Sequence, residues 1–340
     1  MKLLYVGNAL AVHGATPTSA DILPGLFVEA GYEVIVTSSR CNRLLRLLDM
    51  LLSVVRCRHH VEFVLIDTYS TRNFWYAYLC ARLCHLLRLR YIPILRGGSI
   101  PQRMRISPGM SRSLLQNAFI NVAPSAYLHE EMLQFGYPVC LIPNTIPVSK
   151  YPFKKRPVLR PRLLYVRAFA ELYNPQMALY VLQNLLRNFP DAELCMVGPD
   201  KDGALQICKN LAADLDIAEH VTFTGKLCKQ DWHKLAIKYD IFINTTHKDN
   251  TPVSVMEAMA LGLPVVSTNP GGVNKLIDDG IDGLLVDCGD VAAMVAKILF
   301  LLDDPANALS IAQKARLKVE KFDWRLVKEL WNTLFEDHPI

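Results

Sequence analysis

The chain has no apolar run long enough to cross a bilayer. The longest, Leu44 to Val55, is broken by Arg46 and Asp49 and falls short of the roughly 20 residues that a spanning helix needs. The N-terminus starts like a signal peptide, but Gly7, Asn8 and His13 interrupt any apolar stretch, so it reads as the first strand of a cytosolic α/β protein. The nine cysteines contain no CxxC and no Cys/His spacing suited to zinc; an odd number of scattered thiols implies buried cysteines in a reducing compartment. LLYVGNALAVHG lacks GxGxxG, which argues against a dehydrogenase. No helix-turn-helix, RNA-binding sheet motif or zinc module is present, so nucleic acid is not an expected partner. Lysine is missing between Arg40 and Arg112, where thirteen arginines face three acids.

What is present is a globular composition: 340 residues, 51% hydrophobic and 20% charged, enough chain for two domains with separate cores. Net charge is +5, but residues 1–150 hold 15 Lys and Arg against 8 acids, and residues 151–340 hold 22 against 24. The first half is therefore the one to meet an anionic surface. Short apolar runs alternate with amphipathic segments, the pattern of βαβ units. Strands are expected at 3–7, 33–38, 63–67, 91–95, 120–124 and 139–143, then at 162–166, 193–198, 221–225, 240–244, 264–267 and 283–286, which makes two doubly wound parallel sheets. Between them, residues 145–162 carry four prolines and a basic run without periodicity, and read as a linker. The expected division is 1–150, 151–322, and a helix in 323–340, capped by Asp323, that packs back across the hinge.

The densest signal is NTTHKDNTPVSVMEAMALGLPVVSTNPGG, residues 244–272. A strand ends at Asn244, and a polar loop leads to Thr251 as N-cap and Pro252 as first helical residue. Gly262 closes the helix and Pro264 opens the next strand. Free amides on Val253 and Ser254, with a second pair at Gly271 and Gly272, would then lie at strand ends in an open sheet and hold a phosphate. Taken singly, Asp249 also fits a solvated loop acid, Arg167 a salt-bridge partner, and the two glycines a plain turn. Glu257, among Val255, Met256, Ala258 and Met259, requires a partner or a function.

Asp249 and Glu257, eight residues apart, resemble the E-x7-E signature of the large group 1, family 4-like retaining glycosyltransferases, which have two Rossmann-like domains in the GT-B architecture. The ordered matches span nearly the whole chain: Gly14 after the first strand, PSAYLHEEM, IPN at 142–144, LLYVR, PDAELCMVG, VTFTG and the 249–272 stretch. The resemblance implies a C-terminal domain that binds a UDP- or GDP-linked sugar without a metal or other cofactor. It implies that Glu257 holds the donor ribose, Asp249 contacts the donor sugar and Arg167 neutralises the diphosphate. Gly14, Lys226, Leu227, Asn250, Thr251, Val253, Ser254, Gly271 and Gly272 would complete the donor site. The N-terminal domain would take a saccharide or lipid-linked saccharide acceptor, with His13, Arg96, Gly97 and Asn144 in the cleft. Three positions depart from the pattern. Asp249 replaces glutamate, no lysine follows Arg167 within AFAELYNP, and Arg96 stands where a histidine is usual. A nucleotide-sugar epimerase of similar architecture and a non-catalytic nucleotide-sugar-binding subunit are the rival readings.

One further segment bears on partners. The helix from Asn42, RLLRLLDMLLSVVR, places polar residues at 43, 46, 49, 53 and 56 and leaves a wide apolar face. It fits either a half-buried helix on the sheet or a contact between Arg40–Arg58 and anionic headgroups. The second reading makes the protein cytoplasmic and peripheral on the inner face of the membrane.

Overall fold

The computed structural model describes residues 1–15 and 17–336; residues 337–340 of the expected terminal helix segment lie outside them. The chain forms two compact units, Met1–Pro143 with Val327 onward, and Asn144–Leu326. Each is built on a six-stranded sheet with every pairing parallel.

In the first unit the strands are β1 (Lys2–Val6), β2 (Glu33–Thr37), β3 (Phe63–Tyr69), β4 (Tyr91–Arg96), β5 (Asn121–Ala123) and β6 (Val139–Leu141), in spatial order β2-β1-β3-β4-β5-β6. The helices between them are α1 (Ser19–Glu29), α2 (Arg43–Cys57), α3 (Phe74–Leu86), α4 (Ile100–Ile106), α5 (Pro108–Leu115) and α6 (Ala126–Gln134). In the second unit come β7 (Arg162–Val166), α7 (Pro175–Leu186), β8 (Glu193–Val197), α8 (Ala204–Asp214), β9 (Val221–Gly225), α9 (Lys229–Ala236), β10 (Ile241–Asn244), α10 (Val253–Ala260), β11 (Val265–Thr268) and β12 (Leu284–Val286). Helices α11 (Val291–Asp303), α12 (Pro305–Glu320) and α13 (Trp324–Glu336) follow. The second sheet runs β12-β11-β10-β7-β8-β9, the doubly wound order with its direction change between β7 and β10.

A strand covered by helices on both faces must be apolar along its whole length, and these are. Leu163, Tyr165, Ile241 and Ile243 face the core that includes α7 and α11, while Leu164 and Phe242 face the one that includes α10 and α12. This period of two divides the second unit's core into layers above and below the sheet. In the first unit, Leu4, Val6, Val64 and Ile66 pack with α2 and α3. Aromatic rings form another contact there: Phe27 lies edge-on to Trp331 at 5.3 Å, and Phe63 tilts against Phe335 at 5.3 Å. Tyr32 adds a hydroxyl bond to Asn332. Helix α13 thus begins in the second unit and gives its later turns to the first.

Residues 145–162 are not a free spacer. Ile146, Val148, Tyr151 and Leu159 are buried in the second unit's core. Arg156, 3% exposed, donates to the carbonyls of Lys154, Ala236, Tyr239, Leu261 and Gly262 at 2.8–3.2 Å. Burial lowers its pKa to about 10 against the opposing pull of Asp240. The prolines suppress regular structure in this segment, but five backbone carbonyls give Arg156 a fixed seat. The cysteines differ in part from expectation: all nine are free, five are buried, and Cys41, Cys228 and Cys288 are exposed.

Asp323 ties together the two places where the chain changes units. One carboxylate oxygen accepts the Arg325 amide at 3.0 Å, capping α13, and the other accepts the Val148 amide at 3.0 Å. Burial acts to raise its pKa, but these amides and the Arg325 guanidinium hold it below the ordinary carboxylate value. Its contribution is therefore complete above the unfolded value of about 4 and lost as pH falls through the folded one. Asp323→Ala removes a cap and orphans a buried amide, a loss of about 2–3 kcal/mol. Thermal unfolding at neutral pH should show a fall of several degrees, and the gap between variant and wild type should narrow on acidification below about pH 4.

Candidate functional site

Open doubly wound sheets bind ligands beyond the carboxyl ends of their strands, where the connections part in opposite directions. In the second unit that point lies between β7 and β10, which pair at Leu163–Ile241 and Leu164–Phe242. Arg167 follows β7 directly. Its amide bonds the Val197 carbonyl at 3.0 Å, and a Cβ on Gly198 would come within 1.9 Å of the Arg167 carbonyl oxygen, so only glycine fits beside it. The guanidinium donates to the Asp249 carboxylate and lies 4.3 Å from the Tyr173 ring centroid. Burial would lower its pKa; Asp249, then Tyr173 and Tyr165, raise it above the ordinary arginine value.

The loop carrying Asp249 is fastened from three sides. Thr245 donates to the carbonyls of Tyr173 at 3.0 Å and Asn174 at 2.8 Å, the His247 amide donates to Leu172, and Thr268 donates to the Thr246 carbonyl at 2.7 Å. The Asp249 carboxylate also accepts the Asn250 amide, and its carbonyl accepts the Gly272 amide at 3.2 Å. The second amide pair therefore differs from expectation, because Gly272 donates to the chain itself. Gly271 has φ +56°, and a Cβ there would lie 2.4 Å from the Asp249 carbonyl oxygen; the glycines admit the loop.

Helix α10 starts one residue later than the capping pattern predicts. Pro252 is its N-cap, and Thr251 makes no side-chain cap. Among the described residues the Val253 and Ser254 amides have no partner, and two buried polar atoms, Ser254 Oγ in the first turn of α10 and Arg167 Nε after β7, also lack one. Unsatisfied donors at a helix N-terminus, with an arginine on the neighbouring strand end, have the chemistry to hold an anion.

Glu257 occupies a separate polar cluster. Its side chain is 4% exposed and accepts from the Tyr151 hydroxyl at 2.8 Å and from Lys229 at 2.6 Å. Burial, then the Glu257 charge, push the Tyr151 pKa up and keep its hydroxyl a donor. His233 lies against Tyr151 with ring centroids 4.5 Å apart, and burial lowers its pKa. Lys229 is the cation on Glu257; Lys226 is exposed and Leu227 packs partly against the core. Neither Lys229 nor Tyr151 stands out in the sequence, being 28 and 106 positions from Glu257.

The remaining expected residues are mostly in the first unit. His13 Nε2 meets the Ser39 carbonyl at 2.8 Å, Gly14 closes a turn at φ +78°, and Gly97 has φ +93°. Arg96 is not an open cleft cation: its side chain is 10% exposed and bonds Asp67 at 2.8 Å. Asn144 opens the second unit. Among the described residues no three His, Cys, Asp or Glu side chains gather as a metal site would require.

Gly271→Ala should force the Asp249 loop to move, at a cost of about 2 kcal/mol or more, because it combines a left-handed backbone with a collision. Gly203→Ala, at φ +89° with open space around it, incurs the backbone cost alone. A larger fall in melting temperature for Gly271→Ala than for Gly203→Ala is the expected result.

Comparisons with known proteins bear on the family and the fold. The model of the family "Glycosyl transferases group 1" matches residues 150–318. D-inositol 3-phosphate glycosyltransferase of Corynebacterium kroppenstedtii is 28% identical over 180 residues, 52% of this chain and 40% of that protein. The amylovoran biosynthesis glycosyltransferase AmsK of Erwinia amylovora is 35% identical over 118 residues, 33% of this chain and 29% of that protein. The chain thus matches less than half the length of either. HepE of Anabaena, solved in complex with UDP, superposes with a TM-score of 0.78 at 16% identity over 98% of this chain and 99% of that one, a likeness of fold. Solved glycosyltransferases of this fold, the two parallel six-stranded sheets and the match over the second unit have one consequence: this chain belongs to the glycosyl transferases group 1 family, in the GT-B architecture.

Proposed function

We propose that the chain is a retaining glycosyltransferase that takes a sugar from a nucleotide diphosphate donor, with UDP the first candidate, and passes it to a saccharide or lipid-linked saccharide in surface polysaccharide synthesis at the cytoplasmic face of the membrane. The observation that carries this reading is Arg167, held by Asp249 and Tyr173 beside the unsatisfied donors of α10. Charge grows on the diphosphate as the glycosidic bond breaks, and fixed donors aimed there favour the transition state without reorganising. In this reading Arg167 and the α10 amides meet the diphosphate, Glu257 accepts from the ribose diol, and no metal takes part. Asp249 acts mainly by holding Arg167. The UDP complex of HepE supports the nucleotide, and the name of AmsK supports a polysaccharide product.

Arg167→Ala should lower kcat by about 10²–10³ with a smaller change in donor affinity, since the charge it meets is greatest in the transition state. Glu257→Gln should do the converse and weaken donor binding by about tenfold or more. Calorimetry with UDP and GDP, followed by transfer of labelled sugar, measures both effects. Label that stays on a small epimerised sugar, or activity lost to EDTA and restored by manganese, would overturn the reading.

Attachment to an anionic membrane is the second part of the proposal, and α2 supports it. The middle of its polar stripe, at 46, 49 and 53, turns toward the sheet, while Arg43 and Arg56 at the two ends are exposed. Arg46 is buried and donates to the carbonyls of Arg40 and Cys41 and to Asn8, while Asp49 and Ser53 both meet Thr37. Four of its six leucines face outward, with Leu44 73%, Leu45 56%, Leu48 54% and Leu52 50% exposed. Arg43, Arg56 and Arg58 are exposed on the same helix and its end. Arg46 is therefore not one of the headgroup cations that the sequence pattern suggests. Sedimentation with phosphatidylglycerol vesicles should recover more protein than with phosphatidylcholine. The double change Leu44→Ser and Leu48→Ser should abolish binding, and Arg43→Gln with Arg56→Gln should reduce only the anionic preference, by about 1 kcal/mol per charge. Equal or absent binding to both vesicles would reject it.

A further inference from the structure

The first unit's sheet also changes direction, between β1 and β3, and a buried ion pair lies at those strand ends. Asp67 on β3 is 1% exposed in its side chain. Its Oδ1 accepts from the Tyr5 hydroxyl at 2.9 Å and from Arg96 Nε at 2.8 Å, and Arg96 also reaches the Tyr5 hydroxyl at 3.2 Å. Its other oxygen, Oδ2, is buried and has no hydrogen-bond partner. A charged acceptor left in this state is costly, so its surroundings indicate what it is kept for.

They form a small cavity of about 10 Å³, lined by Asn8, Asp67, Tyr69, Asn73 and Tyr76 and by as many residues without a polar side chain, Gly7 and Met50 among them. Gly7 keeps it open, because a Cβ there would lie 2.9 Å from Oδ2 and 2.6 Å from the Ala20 methyl. The volume admits one water-sized group. Arg96 already balances the Asp67 charge, so a second cation would leave the pocket with an excess positive charge, whereas a neutral O–H supplies the missing donor and nothing else. Two tyrosines and two asparagines on a wall shared with apolar side chains suit a ring that carries both hydroxyls and C–H faces.

We infer that Asp67 Oδ2 is the seat of one hydroxyl of a saccharide bound to the first unit. This rests on the glycosyltransferase reading above and makes the saccharide its acceptor, selected by a neutral hydroxyl at one ring position. Asp67 binds it as a hydrogen-bond acceptor; no bond is made or broken there.

The test is saturation-transfer NMR on the full chain with the methyl α-glycosides of glucose, galactose and mannose, with and without saturating UDP, and with calorimetry of UDP on the same samples. At least one glycoside should give a signal that persists with UDP bound and falls about tenfold in Asp67→Asn, which replaces the acceptor oxygen by a donor. Should Asp67→Asn not fold, Asn73→Ala decides, since the Asn73 side chain makes no cap bond in α3 and its loss should lower the signal without unfolding the chain. Absence of signal from every glycoside while UDP binds, displacement of the signal by UDP, or an unchanged signal in the folded variants would overturn the seat and leave a site for ordered water only. Failure of UDP to bind would count against the reading of the second unit, and the glycoside signal would judge the seat separately.

Discussion

A guanidinium taken out of water must be matched, and in the second unit Arg167 sets the terms for the loops around it. Asp249 supplies the countercharge and Tyr173 a ring face. Both must arrive from loops at the ends of different strands, so Thr245, His247 and Thr268 fasten those loops to one another. Gly198 and Gly271 are consequences of the same demand, since a side chain at either would strike the Arg167 or the Asp249 carbonyl. An arginine whose position is fixed before any ligand arrives loses little on binding one, which is what a preorganised electrostatic site requires.

The crossover segment follows the same logic with backbone in place of side chains. A stretch with four prolines cannot satisfy its neighbours through a helix or ladder. Arg156 donates to five carbonyls, and Arg316 on α12 donates to the carbonyls of Val148, Tyr151 and Ala260. Tyr151 is fixed in this way from its backbone, and its hydroxyl then reaches Glu257. The segment that reads as spacer is the support of a buried carboxylate.

Much of the fold was legible because strand signals are local. Each of the twelve expected strands lies within two residues of an observed one, since runs such as LLYV and IFIN are apolar throughout and bounded by breakers. The site was legible in part. Arg167 and Asp249 could be named from a motif, but their pairing could not, because it depends on β7 and β10 becoming neighbours. Lys229 and Tyr151 had no local signature at all. For Asp67 a signal existed, an acid inside an apolar strand, and it passes unnoticed unless Tyr5 and Arg96 are known to share its strand ends.

Helix α2 shows why amphipathic spacing alone leaves direction open. The periodicity gives two faces, and the ordinary expectation turns the apolar one inward. Here Asn8, Thr37 and the carbonyls of Arg40 and Cys41 offer polar partners at the strand ends beneath the helix, and Arg46, Asp49 and Ser53 take them. Met50, Val54 and Cys57 fill what remains of the inward face. Once those partners are taken, four leucines face out, each forgoing about 1–2 kcal/mol of burial. Within the unit itself these leucines gain nothing from that arrangement, and the membrane attachment proposed above is the reading that gives them an apolar phase to enter. In that proposal the exposed Arg43, Arg56 and Arg58 favour a negative surface, because guanidinium is the weakly hydrated cation that tolerates the headgroup boundary and bonds phosphate in two places.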